Sequence, residues 1–525
     1  MRLKRAGVLL LLLLLLPLSH PLRAQYDNPV LRGLNPDPSV VRVGRDYYLA
    51  TSSFEYFPSC PIYHSLDLVH WQRIGYALAR PSQFARLGSQ HPSTYAATLR
   101  YWKGTFYLIT TDVRGGDNFY VTAANPAGPW ADQVKVDQGM FDPSLFFDAD
   151  GAVYYTRRGP SNTQNIVQAT IDIRTGHLTS PLRTISTGMV TDDAEGPHLY
   201  KINGWYYLIE AEGGTRFLHM ETVGRSRSPW GPFENDPANP WIAQHTSWDF
   251  KVRSVGHCDL TDTPGGNWWV VCLGTRHPEY ASFSLGRETF LYPVRWRNGW
   301  PTVRPVDINN LHVDEPALPA HPWPAVPPKD DFNAPHLNSQ WNTIGPLGVT
   351  AYSLTERPDY LRLHGQPANL SFAAPVAFIG RRQTEWTTRS TARMEFTPAE
   401  ENEEAGLVVF MSPGYHYEIV KTLRSSHLVV ILEKQVGDMH EVTATAPVGD
   451  GPLLLRIDSD TNRYTFSWAQ SDGGWHILGT GLERLISSEV ANVWTGAFVG
   501  MFSSGNGKPC VHPADFDWFE YDAPE

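Results

Sequence analysis

The chain reads as an all-β protein, a five-bladed β-propeller followed by a β-sandwich. An aromatic strand core returns five times at intervals of roughly fifty to sixty residues, near the upper end of propeller periods. Long amphipathic helical periods are scarce. A proline-rich break then gives way to short alternating strands. With 525 residues, 42% hydrophobic and 12% aromatic, the chain is long and apolar enough to fill two or three cores.

Met1 to Gln25 has the order of an export signal: Arg2, Lys4 and Arg5, an apolar run from Val8 to Leu16, a break at Pro17, and Ala24 as a small cleavage residue. The run is too short to span a bilayer well, so a soluble product, secreted or periplasmic, is expected. The formal charge is −11, and losing Arg2, Lys4, Arg5 and Arg23 with the signal leaves −15. So acidic a surface has no general attraction for nucleic acid or anionic lipid, and neither is an expected partner. Cys60, Cys258, Cys272 and Cys510 are too few for a disulfide scaffold and lack metal-finger spacing. Buried free thiols are the expectation, although export would permit one bridge.

The propeller is expected over residues 26–314. Its strand cores are GRDYYLAT (Gly44 to Thr51), KGTFYLIT (Lys103 to Thr110), DGAVYYTR (Asp150 to Arg157), NGWYYLIE (Asn203 to Glu210) and GGNWWVVC (Gly265 to Cys272). Each joins a turn to an aromatic and β-branched run, the pattern of a half or wholly buried hairpin strand. Five such units without helical spacers predict five radial sheets whose edges are protected by closure.

About ten or eleven residues before each core stands a chemically capable side chain: Asp37, Tyr95, Asp142, Glu195 and His257. Equal offsets imply equal places, on the innermost strands that line the channel. Three acids in one cavity repel each other, so stability alone would avoid the arrangement and function explains it better. In Asn35-Pro36-Asp37-Pro38-Ser39 the two prolines are expected to hold the strand entry extended and aim the carboxylate. Such pre-organisation suits general acid and base groups. Asp192 and Asp193 match no repeat and read as loop or capping residues, whereas Glu212, beside Gly213 and Gly214, reads as a sugar contact. Phe54, Tyr56 and Phe57 follow the first core, where a loop overhanging the funnel could wall a sugar site.

The stretches NPDPS, FDPSLFFDADG, AEGPHLYK, SVGHCDL and SLGRETFL together resemble glycoside hydrolase family 43, over most of Asn28 to Arg304. The likeness is nearest to members described as β-xylosidases and α-L-arabinofuranosidases. It implies an inverting mechanism with Asp37 as general base, Glu195 as general acid, and Asp142 orienting that acid and raising its pKa. It also implies Phe54 as a subsite wall with Tyr95 beside it, Arg287 on sugar hydroxyls and in support of ionised Asp37, and His257 below the catalytic centre. For Arg287 the alternative is a strand pairing with Glu288. No cofactor is required and no metal ligand set is predicted; relatives leave room for a structural calcium near His257.

Residues 315–329 form a proline-rich connector, expected to be stiff and extended. Residues 330–525 then alternate as strands in YLRLH, AGLVVF, YEIV, LVVIL and LLLRI, which predicts the sandwich. This part resembles the concanavalin-like jelly roll of β-xylosidases, which implies packing on the propeller near the active-site rim. The expected function is exo-acting release of terminal β-D-xylose or α-L-arabinofuranose from xylan or arabinoxylan fragments. An endo-arabinanase on the same fold would need an open groove, and a non-catalytic carbohydrate-binding propeller would lack one of the three acids.

Overall fold

Each aromatic core becomes the second strand of an antiparallel sheet: Asp46–Ala50, Thr105–Asp112, Val153–Arg158, Trp205–Glu212 and Trp268–Arg276. The hairpin before each core turns at a glycine of positive φ, Gly44, Gly104, Gly151, Gly204 and Gly266, a conformation that side chains with a Cβ adopt at a cost. The computed structural model describes residues 25–84, 93–244, 250–278, 283–314, 318–348, 350–371, 376–470 and 473–523. The expected export signal, through Ala24, and residues 315–317 of the connector lie outside them.

The first strands of the five sheets are Ser39–Val43, Thr98–Trp102, Ser144–Phe147, Ala194–Ile202 and Val252–Asp262. Each touches the next, and the fifth touches the first, so they make a closed ring around the channel. The remaining strands run outward in chain order, except that Tyr56–Phe57 leaves the first blade. The ring is clasped where Gln25–Asp27 pairs with His312–Asp314, and where Leu31 bridges Thr289 of the fifth blade.

Two expectations about local structure are corrected. Cys258 and Cys272 form a disulfide across the first two strands of blade five, with Cα atoms 4.1 Å apart, while Cys60 and Cys510 are free. Register shifts between Arg253 and Asp259 bring these two cysteines face to face, which alternation read from sequence does not foresee. The strand entries are also not simply extended: Asp37, Asp142 and His257 have φ of 53°, 58° and 48°. A left-handed residue with a Cβ costs about 1–2 kcal/mol, and Asp bears it better than most. Three equivalent ring positions share this conformation, which turns their side chains into the channel mouth.

The C-terminal domain stacks two antiparallel sheets. One is built on Thr388–Glu395, Leu453–Ser459, Arg463–Gln470 and Ala514–Asp522; the other on Ala377–Arg382, Glu404–Ser412, Tyr415–Arg424, His427–Val436 and Phe498–Ser504. Leu407, Ile419, Leu455, Phe466 and Phe516 are among the buried side chains between them. From Leu318 the connector runs without regular structure until Lys329, with its His321 N–H donating to Asp67 at 2.6 Å and its Trp323 indole to the His70 carbonyl at 3.2 Å.

The domains share a core. Leu34 and Tyr56 of the propeller pack with Ile344, Phe378, Phe410 and Phe498 of the sandwich. The Tyr56 ring stacks on Phe498 at 3.7 Å, and Tyr56 and Phe57 pair with Ile344 and Thr343 as a two-stranded ribbon. Burying aromatic surface this fully makes the joint a structural element rather than a tether. The Tyr56 hydroxyl is buried without a hydrogen-bond partner among the described residues. Tyr56→Phe is therefore expected to leave stability unchanged or raise it by about 1 kcal/mol. Tyr56→Ala should cost about 3–5 kcal/mol by opening a cavity. Denaturant unfolding of both variants checks the opposite signs.

Candidate active site

The channel mouth holds a cavity of about 380 Å³ whose lining includes Asp37, Asp142, Glu195, Phe54, Tyr95, His257 and Arg287. The three acids, with Phe54, Tyr95, His257 and Arg287, thus meet in one place. A larger cavity, of about 890 Å³, lies between the first two blades and the stretch Pro335–Thr355, but none of the three acids reaches it. Size alone does not choose the site; the side chains do.

Asp37 is 4% exposed and fully occupied with donors. Its Oδ1 accepts from Arg287 Nη1 at 3.1 Å, its Oδ2 from the Ser52 hydroxyl, and His257 Nδ1 stands 3.7 Å from Oδ1. Burial pushes this carboxyl up, but Arg287, then His257 and Ser52, outweigh it and hold the pKa below the usual value. Asp37 is an ionised carboxylate at neutral pH. Burial also lowers the His257 imidazole below its ordinary value despite the pull of Asp37, so His257 is mostly neutral there.

The other two acids behave oppositely. Burial, then the charges of Glu195 and Asp37, push the Asp142 carboxyl well above its usual value, although its Oδ2 accepts the Gly196 N–H at 3.1 Å. Burial raises Glu195 to about 7; Arg158 opposes this, while Asp193 and Asp37 reinforce it. Together the pair retains a proton near neutral pH. Gly196 has φ of 56°, and a Cβ there would lie 2.9 Å from the His257 ring, so only glycine lets the acid strand and the histidine approach this closely.

Arg287 pairs with Asp37 and not with Glu288, whose carboxylate is taken by Arg276 at 2.6 and 2.9 Å. Its Nη1 also donates to Thr215 at 2.9 Å, its Nε and Nη2 reach the Trp494 carbonyl at 3.3 Å, and its plane lies over Phe54, 5.2 Å from the ring centre. Much of its donor capacity is spent within the protein. Phe54 and Tyr95 form an aromatic pair, centroids 5.3 Å apart, and Tyr95 meets Phe141 edge-on at 5.6 Å. Of the three aromatics in that loop only Phe54 lines the cavity; Tyr56 joins the domain contact and Phe57 packs near Phe84.

Sequence reasoning missed Arg158, Thr215 and Trp494. Arg158 donates to Glu195 at 3.0 Å and to Asp193 at 2.7 Å, which gives Asp193 a place in the pocket wall that its lack of repeat partners had hidden. Trp494 arrives from the sandwich, and its ring lies 4.6 Å from the Arg216 guanidinium carbon. Glu212, expected as a sugar contact, is wholly buried instead. Its carboxylate accepts the N–H groups of Met189, Val190 and Thr191, so it braces the loop before Asp193. At His257 no group of three His, Cys, Asp or Glu side chains gathers among the described residues.

Residues 26–301 match Glycosyl hydrolases family 43, and residues 329–522 match the beta xylosidase C-terminal concanavalin A-like domain. The chain belongs to glycoside hydrolase family 43. It is 42% identical to the non-reducing end alpha-L-arabinofuranosidase BoGH43B of Bacteroides ovatus, over 99% of each chain. It is 32% identical to a beta-xylosidase of Bacillus subtilis, over 95% of this chain and 99% of that one. The solved Bacteroides ovatus xyloglucan PUL GH43B superposes with a TM-score of 0.92 at 41% identity, covering 95% of this chain and all of the other. The family 43 chain is a glycosidase, and its C-terminal domain has the concanavalin-like fold expected of it.

The Arg158 fork predicts opposite shifts in Glu195. Arg158→Met removes the group that lowers its pKa and should carry it above about 7; Asp193→Asn removes a group that raises it and should bring it down. Carboxyl-carbon NMR titration of the two variants reads both directions.

Proposed function

We propose that the protein is an exo-acting, inverting glycosidase that removes terminal β-D-xylose or α-L-arabinofuranose from xylan or arabinoxylan fragments, after export from the cell. The carrying observation is a single cavity in which Asp37 is held ionised while Asp142 and Glu195 retain a proton.

Glycoside hydrolysis by inversion needs these two states together. One carboxylate removes a proton from a water that attacks the anomeric carbon, and one carboxylic acid protonates the departing oxygen from the other side. Asp37 takes the first role, since Arg287 keeps it charged and its left-handed backbone fixes its aim. Glu195 takes the second. It is the more accessible member of the protonated pair, with 14% of its side chain exposed. Asp142, bound to the Gly196 N–H, places the acid strand, while burial with Asp193 and Asp37 keeps the proton on Glu195. Neutral His257 supports Asp37 from below without adding a full charge.

Phe54 and Tyr95 offer the flat apolar surface on which the C–H face of a sugar ring stacks. Arg287 keeps Asp37 charged first and reaches sugar hydroxyls second. The cavity lies near the low end of the range for small-ligand sites, about 300–1,000 Å³. That volume, with a sandwich residue on its wall, favours a chain end over the open groove of an endo-arabinanase. The named activities of the relatives include both sugars, an alpha-L-arabinofuranosidase and several beta-xylosidases, so both are carried forward.

Side-by-side rates on aryl β-D-xyloside and aryl α-L-arabinofuranoside test the activity, and no release from either would overturn it. Asp37→Asn should lower kcat at least about 10³-fold on every substrate. Glu195→Gln should do so on sugars with poor leaving groups but recover much of the rate on a dinitrophenyl glycoside, which leaves without a proton. In the wild type, kcat/KM should fall on the acid side below the ordinary Asp value, as Asp37 takes up its proton, and on the alkaline side near pH 7, as the pair loses its own. Proton NMR of the first-formed sugar should show the inverted anomer.

A further inference from the structure

Far from the pocket in sequence, three buried glutamates of the sandwich, Glu404, Glu418 and Glu433, bring one carboxylate oxygen each within 4.8 Å of one another. Among the described residues this is the one place where three such ligands gather. They stand on three neighbouring strands, Glu404–Ser412, Tyr415–Arg424 and His427–Val436, with Glu418 directly opposite Glu433. Like charges opposed across a ladder destabilise it, and a buried charge persists only when paired or bound to a metal.

The partners present do not suffice. Glu418 is 4% exposed, and its Oε2 has no hydrogen-bond partner. Its Oε1 faces His416 Nε2 at 3.1 Å, but the other ring nitrogen, Nδ1, is 3.2 Å from the Ser412 carbonyl, which can only accept. The ring proton is therefore on Nδ1. In that tautomer Nε2 turns a lone pair toward the carboxylate. Around Glu433 the cations are peripheral. Arg424 Nη2 is 3.6 Å away, with Nη1 of the same group spent on the Glu401 and Leu423 carbonyls, and the half-exposed His440 is also 3.6 Å away. The unpartnered Oε2 of Glu418, buried beside two further carboxyls, is left for a ligand from outside the chain.

We propose that Glu404, Glu418 and Glu433 bind a single hard divalent cation, calcium in preference to magnesium, as a structural site of the sandwich. The donors are all carboxylate oxygens, which select hard cations, and the pocket is buried, which disfavours magnesium because it gives up its waters reluctantly. His416 serves as a neighbour that orients Glu418. By strand alternation the glutamates share a face with Val408, Val420 and Ile431, which pack with Leu34 and Tyr56 of the propeller. An ion tying these three strands together would therefore stiffen the sheet that carries the domain contact.

The full-length protein, purified without chelator, is assayed for metal by mass spectrometry and for thermal unfolding in EGTA and in millimolar calcium chloride, alongside Glu418→Gln and His257→Ala. One calcium per chain is expected in the wild type and in His257→Ala, with Tm raised by about 3 °C or more when calcium is added. Glu418→Gln should bind calcium at least tenfold more weakly. It should also invert the order of stability, being as stable as the wild type or more so in EGTA, because repulsion is relieved, and less stable in calcium. A merely destabilising substitution would be worse in both. Absence of bound ion with no response of Tm to calcium would overturn the proposal, as would an ion kept by Glu418→Gln and lost by His257→Ala.

Discussion

One guanidinium organises the channel mouth. Arg287 begins beside the last long strand of the fifth blade, yet it contacts Asp37 of the first blade, Thr215 of the loop after the second strand of the fourth, the carbonyl of Trp494 in the sandwich, and the face of Phe54. Its planar fork serves several acceptors at once, which a point-charge ammonium would not do. Gly286, next to it, has φ of 79°, and a Cβ there would lie 2.8 Å from the Cα of Gly496. The two backbones approach this closely only because neither residue has a side chain, and the approach is what brings the Trp494 carbonyl within reach of the arginine.

The electrostatics of the site follow from who holds which cation. Asp37 and Asp142 are buried and Glu195 is largely covered, and burial alone would push all three toward neutrality. Arg287 is assigned to Asp37 and ionises it. Arg158 is shared between Glu195 and Asp193, so its charge is divided and Glu195 is left near neutrality of charge at physiological pH. Asp142 accepts a backbone N–H, and the repulsion of both neighbours outweighs the pull of Arg158 on it. Two arginines placed unequally among four carboxyls hold one ionised and leave others protonated within one cavity.

The repeat made the ring positions legible. Asp37, Tyr95, Asp142, Glu195 and His257 could be aligned because each stands at a fixed distance before an aromatic strand, and a propeller converts equal distance into equal place. What the offset could not express is conformation: the flanking prolines read as extended backbone, whereas Asp37 and Asp142 are left-handed. Arg158 could not be found in this way because it follows an aromatic core instead of preceding one. Trp494 lies some two hundred residues beyond Arg287 in a different domain, with no pattern linking them. Glu212 misled because glycines that permit approach of a ligand equally permit a tight loop, and here Glu212 binds the amides of the neighbouring loop. The cysteines misled because a bulge, invisible in composition, decided which side chains met.

The loop from Ser52 to Ser59 shows why the sandwich is part of the site. Ser52 donates to Asp37, Phe54 walls the cavity, Tyr56 lies in the shared core against Phe498, and Phe57 anchors the loop toward Phe84. Residues two apart therefore face Asp37, the cavity and the other domain in turn. If the sandwich were withdrawn, Tyr56 would lose its stacking partner, and the loop would lose the contact that fixes the backbone between it and Phe54. Trp494 and its carbonyl would leave at the same time, freeing Arg287 from one of its acceptors. The domain contact and the pocket wall are thus one mechanical unit, so the concanavalin-like module shapes the cavity although none of the three acids stands on it.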